Sequence, residues 1–310
     1  MRAMRKDHLD PAGFAALVLF TTVLAGNQIV MKLTNAGLSP IFQAGLRSLL
    51  ACLVVLAWVR VRGLGLGPFR RNFWPGLALG LFFSIEFAAL YTALDMTSVS
   101  RASIIFYTMP MHLSLAAHFL IPGERLTPQK VAGLVCAFAG VVIVLADRSG
   151  GEASLLGDVL ALVGALGWAA IALTVRITRI SEAPPEAQQI WQLSVSAVVF
   201  LAIAPLFGPV LRDPGPEHIW LMAYQVLLVA SLGFLAWFYL LKRYPAATVA
   251  SFSFLTPVLA VFMGWALLDE TLRWSVLLSL TLVSVGIVLI NRKPRARGNG
   301  RARAAATPPT

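Results

Sequence analysis

The chain has 310 residues, of which 58% are hydrophobic and only 13% charged, with a formal net charge of +11. A soluble domain of this size cannot cover so much apolar surface, so composition alone leaves the polytopic membrane class. About twenty apolar residues cross one bilayer, and ten such spans follow in order: 13–31, 40–59, 73–94, 99–119, 129–146, 155–175, 186–207, 218–241, 246–267 and 273–291. They use nearly the whole chain and leave no room for a separate soluble domain.

Residues 1–12, with Arg2, Arg5 and Lys6, read as a cytoplasmic lead-in. The first span is about as long as a full crossing and has no small-x-small cleavage site before Lys32, so it reads as a retained helix and not a signal peptide. Asn27 and Gln28 sit in its middle, where amides are costlier than hydroxyls, which makes them cavity candidates. Lys32, at its outer end, reads as an interface anchor. Arg47 lies about two turns into the second span. It can attract a carboxylate or phosphate, pair with Glu86, or snorkel to the headgroups.

Glu86 is midway along the third span and is the one carboxylate placed in mid-membrane. A charge there costs about 2.5–3.5 kcal/mol on insertion scales, so it must be protonated, paired or facing water. It either lines a cavity, binding a substrate amine or carrying a coupling proton, or is a protonated carboxyl bonded to a neighbouring backbone. In the fourth span, Ser103, Tyr107 and Pro110 share a face by i, i+4 and i+7 spacing. His112 and His118 on the same span stand about 240° apart and do not converge on a metal. Thr127 before Pro128 predicts a capped helix start. Gly76 with Gly80, and Ala132, Gly133 and Gly140, mark close helix contacts. Cys52 and Cys136 lie inside apolar spans without metal-ligand spacing and read as packing residues.

In the second half, Trp191 lies near a span end, the usual place of an interface anchor, whereas Trp168 and Trp237 lie deeper and suit an aromatic wall. Gln192, Ser251, Ser253 and Thr256 add polar groups, although hydroxyls in membrane helices often bond only their own backbone. Pro257 is the mid-span proline matching Pro110. Each proline removes one helical hydrogen bond, which suits a hinge or gate around a shared site, or else a static packing kink. Residues 292–310 carry basic charge without apolar period and read as a disordered cytoplasmic tail near anionic lipid, with no nucleic acid required.

The ends of the two halves repeat. Ala102-Ser103, Pro110, Glu124-Arg125-Leu126-Thr127 and Gly140 are followed later by Ala250-Ser251, Pro257, Glu270-Thr271-Leu272 and Gly286. Glu124 to Gly140 and Glu270 to Gly286 are both 16 residues. With the N-terminus inside, 19 of the 25 Lys and Arg fall on the cytoplasmic side, which predicts an even span number and both termini inside. Five spans per half then make the halves antiparallel. The expected fold is all-α, ten transmembrane helices as two inverted five-helix repeats over 13–146 and 155–291.

The duplicated proline segment, together with Gly26-Asn27, Lys32, Pro40 and Arg47, resembles the EamA-type branch of the drug/metabolite transporter superfamily. Asp269, where the first copy has Gly123, and Ala25, where the pattern has Trp, depart from it. The resemblance implies a ten-helix pore with the proline-bearing helices near its centre, and a carrier that commonly exports amino acids or other small metabolites. A substrate or proton cavity is accordingly expected at Glu86, Asn27, Gln28, Arg47, Ser103, Tyr107, Trp168, Gln192, Trp237 and Ser253, with Pro110 and Pro257 as hinges. The expected function is alternating-access export in a bacterial inner membrane. Other solute classes (nucleobase, vitamin, organic cation or drug) are the alternative, and a non-transport membrane protein is the weaker one. No metal cluster, nucleophile motif or phosphate-cradling glycine loop is present in the sequence, so neither an enzyme, a cofactor nor an ATP-driven pump is expected.

Overall fold

A computed structural model of the chain describes residues 10–67, 70–149, 153–233, 236, 240, 243–244 and 252–291. The two predicted terminal tails fall largely outside these residues, as do Trp237 and Ser251. Helices α1 (Pro11–Asn35), α2 (Pro40–Val61) and α3 (Phe73–Met96) are followed by a broken crossing, α4 (Val99–Phe106) and α5 (Met109–Leu120), and by α6 (Pro128–Ala146). The second half comprises α7 (Leu155–Ile177), α8 (Pro185–Ile203), α9 (Glu217–Ala223), α10 (Leu255–Leu268) and α11 (Trp274–Asn291). A π-helix, Tyr224–Gly233, continues α9. Taking α4 with α5 and extending α8 to Phe207, eight helices among the described residues are long and apolar enough to cross a membrane; Phe252–Leu268 is apolar but shorter. The chain is a multi-pass, all-α membrane protein. Its outer surface carries exposed Leu19, Trp74, Phe119, Val135, Phe138 and Leu155, as a lipid-facing surface should.

Helix starts follow local chemistry. Proline, which lacks a donor, occupies the first position of α1, α2, α6 and α8. Side-chain caps close several first turns. Asp10 accepts from the Gly13 N–H at 2.8 Å, Thr127 from Lys130 at 3.3 Å and Ser154 from Gly157 at 3.1 Å. The Thr127–Pro128 start is as the sequence predicts.

The fourth crossing breaks where Pro110 requires it. A proline ring collides with the carbonyl four residues earlier, here that of Phe106, the last residue of α4. Tyr107 and Thr108 form the joint, and the Ile105 carbonyl accepts both the Thr108 hydroxyl at 2.6 Å and the Thr108 N–H at 3.2 Å. Ser103 and Tyr107 keep the expected i, i+4 relation, since the Tyr107 N–H donates to the Ser103 carbonyl at 2.9 Å. Pro110 lies beyond the joint, in α5, so the i+7 relation of an unbroken helix does not extend to it.

The packing exchanges the two halves. Helix α6 packs on α11, α2 on α8 and α4 on α10; α1 packs on α10 as α7 does on α4 and α5; α3 packs on α7 as α1 does on α9 and its π-extension. At the α6–α11 crossing, a Cβ added to Gly133 would lie 2.8 Å from the Gly286 carbonyl oxygen, and one added to Gly140 would lie 2.8 Å from that of Ser279. A shift of 146 residues carries Gly133 to Ser279 and Gly140 to Gly286 (279 − 133 = 286 − 140 = 146), so each contact maps onto the other. The same 146-residue shift aligns Glu124 with Glu270 in the repeat, so this antiparallel contact has the register that a twofold between the halves requires. The same shift pairs Gly123 with Asp269, and both residues have positive φ, 88° and 54°. Asp enters the left-handed region more readily than most side chains, so the departure from glycine is accommodated at this turn.

Trp191 is corrected as well. Near a span end it reads as a surface anchor, but it is buried, with Phe73 at 5.7 Å between ring centroids and its indole over Gly76. The missing Cβ of Gly76 on another helix makes that room.

The Gly286→Leu variant should lower the melting temperature of the purified protein, by an overpacking cost of about 1–3 kcal/mol. A thermal-shift measurement in detergent checks this; unchanged melting would mean that α6 and α11 are not in backbone contact there.

Candidate functional site

A cavity of about 550 Å³ lies between the halves. Its deep end is built by α1, α2 and α3, which contribute Asn27, Gln28, Arg47 and Glu86. Tyr107 and Pro110 come from the broken crossing, Trp168 from α7, and Ser253 and Thr256 from the start of the α10 region. Phe20, Phe87, Phe106, Tyr107 and Trp168 add aromatic surface to walls that also carry Leu17, Leu24, Leu90 and Leu113. At one end the cavity reaches Glu124, Lys130, Arg176 and Asn291, the ends of α5, α6, α7 and α11 that share one face of the bundle.

Of the residues expected from sequence, Glu86, Asn27, Gln28, Arg47, Tyr107, Trp168, Ser253 and Pro110 line this space. Ser103 is fully buried behind the wall, where its hydroxyl donates to Gln28 Oε1. Gln192 and Pro257 are not in the lining: Gln192 is half-buried on α8, and Pro257 is buried in the first turn of α10.

Close backbone approach positions the two charges. A Cβ added to Gly167 would lie 3.0 Å from the Glu86 backbone, so this glycine lets α7 rest against α3 where Glu86 projects. Glu86 and Arg47 are only 3% and 4% exposed. Their charges are opposite, yet among the described residues no ion pair joins them. The Arg47 guanidinium lies 4.5 Å from the Phe87 ring centroid, a cation–π contact, and its Nε has no hydrogen-bond partner. Asn27 Oδ1 is likewise without a partner, while its Nδ2 donates to Met31 Sδ at 3.1 Å. Unmet polar groups in a buried apolar site are expensive unless something else satisfies them. The volume and the mix of apolar wall with a few polar groups fit a small-molecule site.

Second-layer contacts fix this lining. The Tyr224 hydroxyl donates to the Val23 carbonyl at 2.8 Å, directly over Gly26, where a Cβ would collide with it. The Tyr91 hydroxyl donates to Gln225 Oε1 at 2.6 Å, and Gln225 Nε2 donates to Thr34 Oγ1 at 3.2 Å, tying the π-helix to α1 and α3. Gln225 and Tyr224 were not legible as site supports, because their partners lie on distant helices.

The opposite end of the bundle is closed by a polar layer. Glu270 accepts hydrogen bonds from the Val99 N–H at 2.5 Å, the Ser100 N–H at 2.9 Å and the Ser100 hydroxyl at 2.6 Å. Asp158, fully buried, accepts from Arg101 Nη2 at 2.7 Å and from Arg148 at 2.7 Å. Lys32 donates to the Thr97 carbonyl at 2.9 Å, so it ties α1 to the end of α3 as well as standing at an interface. Arg212 grips Asp95 at 2.6 and 2.8 Å, and these hydrogen bonds raise its pKa. Hydrogen bonds from Ser149 first, and then Ser275, hold the Asp147 carboxyl well below the usual carboxylate range. Asp158 is a structural residue that the sequence reading missed. Three residues into a span, its charge looks unremarkable.

Among the described residues no group of three or more His, Cys, Asp or Glu side chains is placed to hold a metal. His112 Nε2 stands 3.2 Å from Thr108 Oγ1, and His118 Nδ1 accepts from the Leu126 N–H at 3.3 Å, so both serve helix contacts.

Residues 11–146 and 155–292 each match the profile of the EamA-like transporter family. The uncharacterized transporter YvbV of Bacillus subtilis is 29% identical over 294 residues, covering 91% of this chain and 93% of YvbV. The aromatic amino acid exporter YddG of Ancylobacter novellus is 28% identical over 256 residues, covering 80% of this chain and 87% of YddG. A solved crystal structure aligns with a TM-score of 0.62 at 21% identity, over 89% of this chain and 94% of its own, and so shares the fold.

A buried guanidinium that meets no carboxylate and whose Nε has no hydrogen-bond partner is stability given up for binding. Arg47→Met, similar in length and apolar, should melt at the same or a higher temperature than the parent in the absence of solute. A fall of several degrees would show that Arg47 is a structural tie and not a free binding group.

Proposed function

Because the chain belongs to the EamA-like transporter family of the drug/metabolite transporter superfamily, we propose that it exports amino acids or related small metabolites by alternating access. It is a transporter and not an enzyme, and its solute is a small molecule. The observation that carries the finer reading is the pairing of one buried carboxylate, Glu86, with one buried guanidinium, Arg47. Both face a single cavity, and neither neutralises the other by direct contact.

An amphoteric solute matches that arrangement. Its ammonium group meets Glu86, its carboxylate meets Arg47 and the vacant Asn27 carbonyl oxygen accepts a further donor. Charge-assisted bonds of this kind are about twice as strong as neutral ones. The remaining surface of Phe20, Phe87, Phe106, Tyr107 and Trp168 suits an apolar or aromatic side chain. The name of YddG, an aromatic amino acid exporter, supports the same solute class. An organic cation fits Glu86 and the aromatic walls but leaves Arg47 opposed to it. A sugar phosphate would call for more than one deep cation.

Placement follows from charge. With both termini in the cytoplasm, the mouth bearing Lys130 and Arg176 faces inward, in keeping with 19 of 25 basic residues on that side. The cavity then opens to the cytoplasm and is closed outside, the loading state of an exporter. Short loops and bacterial relatives fit a bacterial inner membrane. Glu86, free of an ion pair, also serves as the site of a coupling proton, taken up when solute leaves.

The test is uptake into liposomes by the reconstituted protein, with labelled amino acids, nucleobases and cationic drugs, with and without a pH gradient. Apolar or aromatic amino acids should accumulate, and Glu86→Gln should reduce their flux by about tenfold or more, the equivalent of about 1.4 kcal/mol. The same variant should flatten the pH dependence. Transport of only cationic drugs would replace the amino-acid reading. Full activity and unchanged pH dependence in Glu86→Gln would remove Glu86 from both roles.

A further inference from the structure

The two repeat-equivalent glutamates stand in different conditions. Glu270 is 7% exposed and sits in the closed end, its carboxylate holding both backbone N–H groups of Val99 and Ser100 and the Ser100 hydroxyl. Glu124, which the 146-residue shift maps onto Glu270 (270 − 124 = 146), stands at the open mouth, where Arg176 grips it at 2.6 and 3.1 Å in a solvent-reachable pair. One sequence position thus appears twice, once buried and engaged and once exposed.

What Glu270 holds is a short, detachable element. Helix α4 is only eight residues, Val99–Phe106, because the Tyr107–Thr108 joint separates it from α5. The N–H groups of its first turn have no helical partners and carry the positive end of the helix dipole. Two carboxylates from the second half meet that turn. Glu270, from the α10–α11 connection, binds its backbone, and Asp158, from α7, binds Arg101. Among the described residues, breaking both contacts leaves α4 anchored to the second half by apolar packing alone.

We infer that Glu270 is the latch of the closed end. Its carboxylate holds half-helix α4 shut against the second half, Asp158 reinforces it through Arg101, and release of this cap lets α4 swing about the Tyr107–Thr108 joint to open that end. Glu124 is the unlatched copy of the same device. This rests on the alternating-access reading above, but not on any particular solute.

The test needs no substrate, so its outcome is separable from the solute assignment. In a Cys52→Ala, Cys136→Ala background, Val99→Cys places a thiol at a position that is 0% exposed in the closed end, and Ala137→Cys places one at the 1% exposed α6–α11 crossing. The protein is reconstituted in lipid nanodiscs, where both faces are open, and labelled with a water-soluble maleimide. Glu270→Gln keeps the size of the side chain but removes its charge, and should speed labelling at position 99 by about tenfold, as a cap weakened by about 1.4 kcal/mol would. Asp158→Asn should act in the same direction. Labelling at position 137 should stay slow in both, and Glu124→Gln should not accelerate labelling at position 99. The inference is overturned if Glu270→Gln leaves position 99 as slow as in the parent. It is equally overturned if positions 99 and 137 quicken together, since that reports general loosening and not release of a latch.

Discussion

A proline in a membrane helix leaves the carbonyl four residues earlier without its hydrogen bond, and lipid offers no replacement. Pro110 imposes that condition on the fourth crossing, and much of the site follows from it. The helix stops at Phe106, the Thr108 hydroxyl and N–H both close on the Ile105 carbonyl, and Tyr107 and Pro110 line the cavity. The break also leaves α4 a half-helix of eight residues, whose own start, at the Ser98 cap after α3, has donors to be met at the far end. Glu270 and Ser98 meet them, at a distance from the cavity but on the same short helix.

Charges are distributed unequally along the bundle. At the closed end nearly every charged group has a partner: Asp158 with Arg101 and Arg148, Asp95 with Arg212, Asp147 with Ser149 and Ser275. At the cavity floor, Arg47 Nε and Asn27 Oδ1 have none. Satisfied polar layers specify one arrangement, and unsatisfied ones are tolerated where a solute completes them. Small residues keep the elements close enough for this. Gly133 and Gly286 bring α6 and α11 into backbone contact, and Gly167 does so for α7 against Glu86.

The duplication explains why these features come in pairs and why the pairs differ. A twofold relation would give both ends of the protein the same contacts, but a carrier open at one end cannot keep them equal. The α6–α11 crossing retains the symmetry, with Gly133–Gly286 mapping onto Gly140–Ser279. The glutamates at the two mouths do not, since one caps a buried helix and the other meets Arg176 at the surface. The symmetric contacts are apolar backbone approaches that no rearrangement need disturb, and the asymmetric ones are the polar contacts at the ends.

The amino-acid sequence by itself determined the all-α multi-pass class, the helix starts at proline and capping residues, and the duplicated half. Each is local, written in apolar run length, in a missing N–H or in a repeated spacing. It also singled out Glu86 and Arg47, because a charge inside an apolar run stands out without any neighbour. Tertiary structure alone decided which polar residues share a space. Ser103 falls behind the wall and Gln192 outside it, since helix rotation depends on what the opposite face packs against. Trp191 is buried because Gly76 on another helix leaves room, and Asp158 matters because Arg101 and Arg148 converge on it. Contacts between residues tens of positions apart carry no periodic trace in the chain, and these contacts close one end of the cavity and leave the other open.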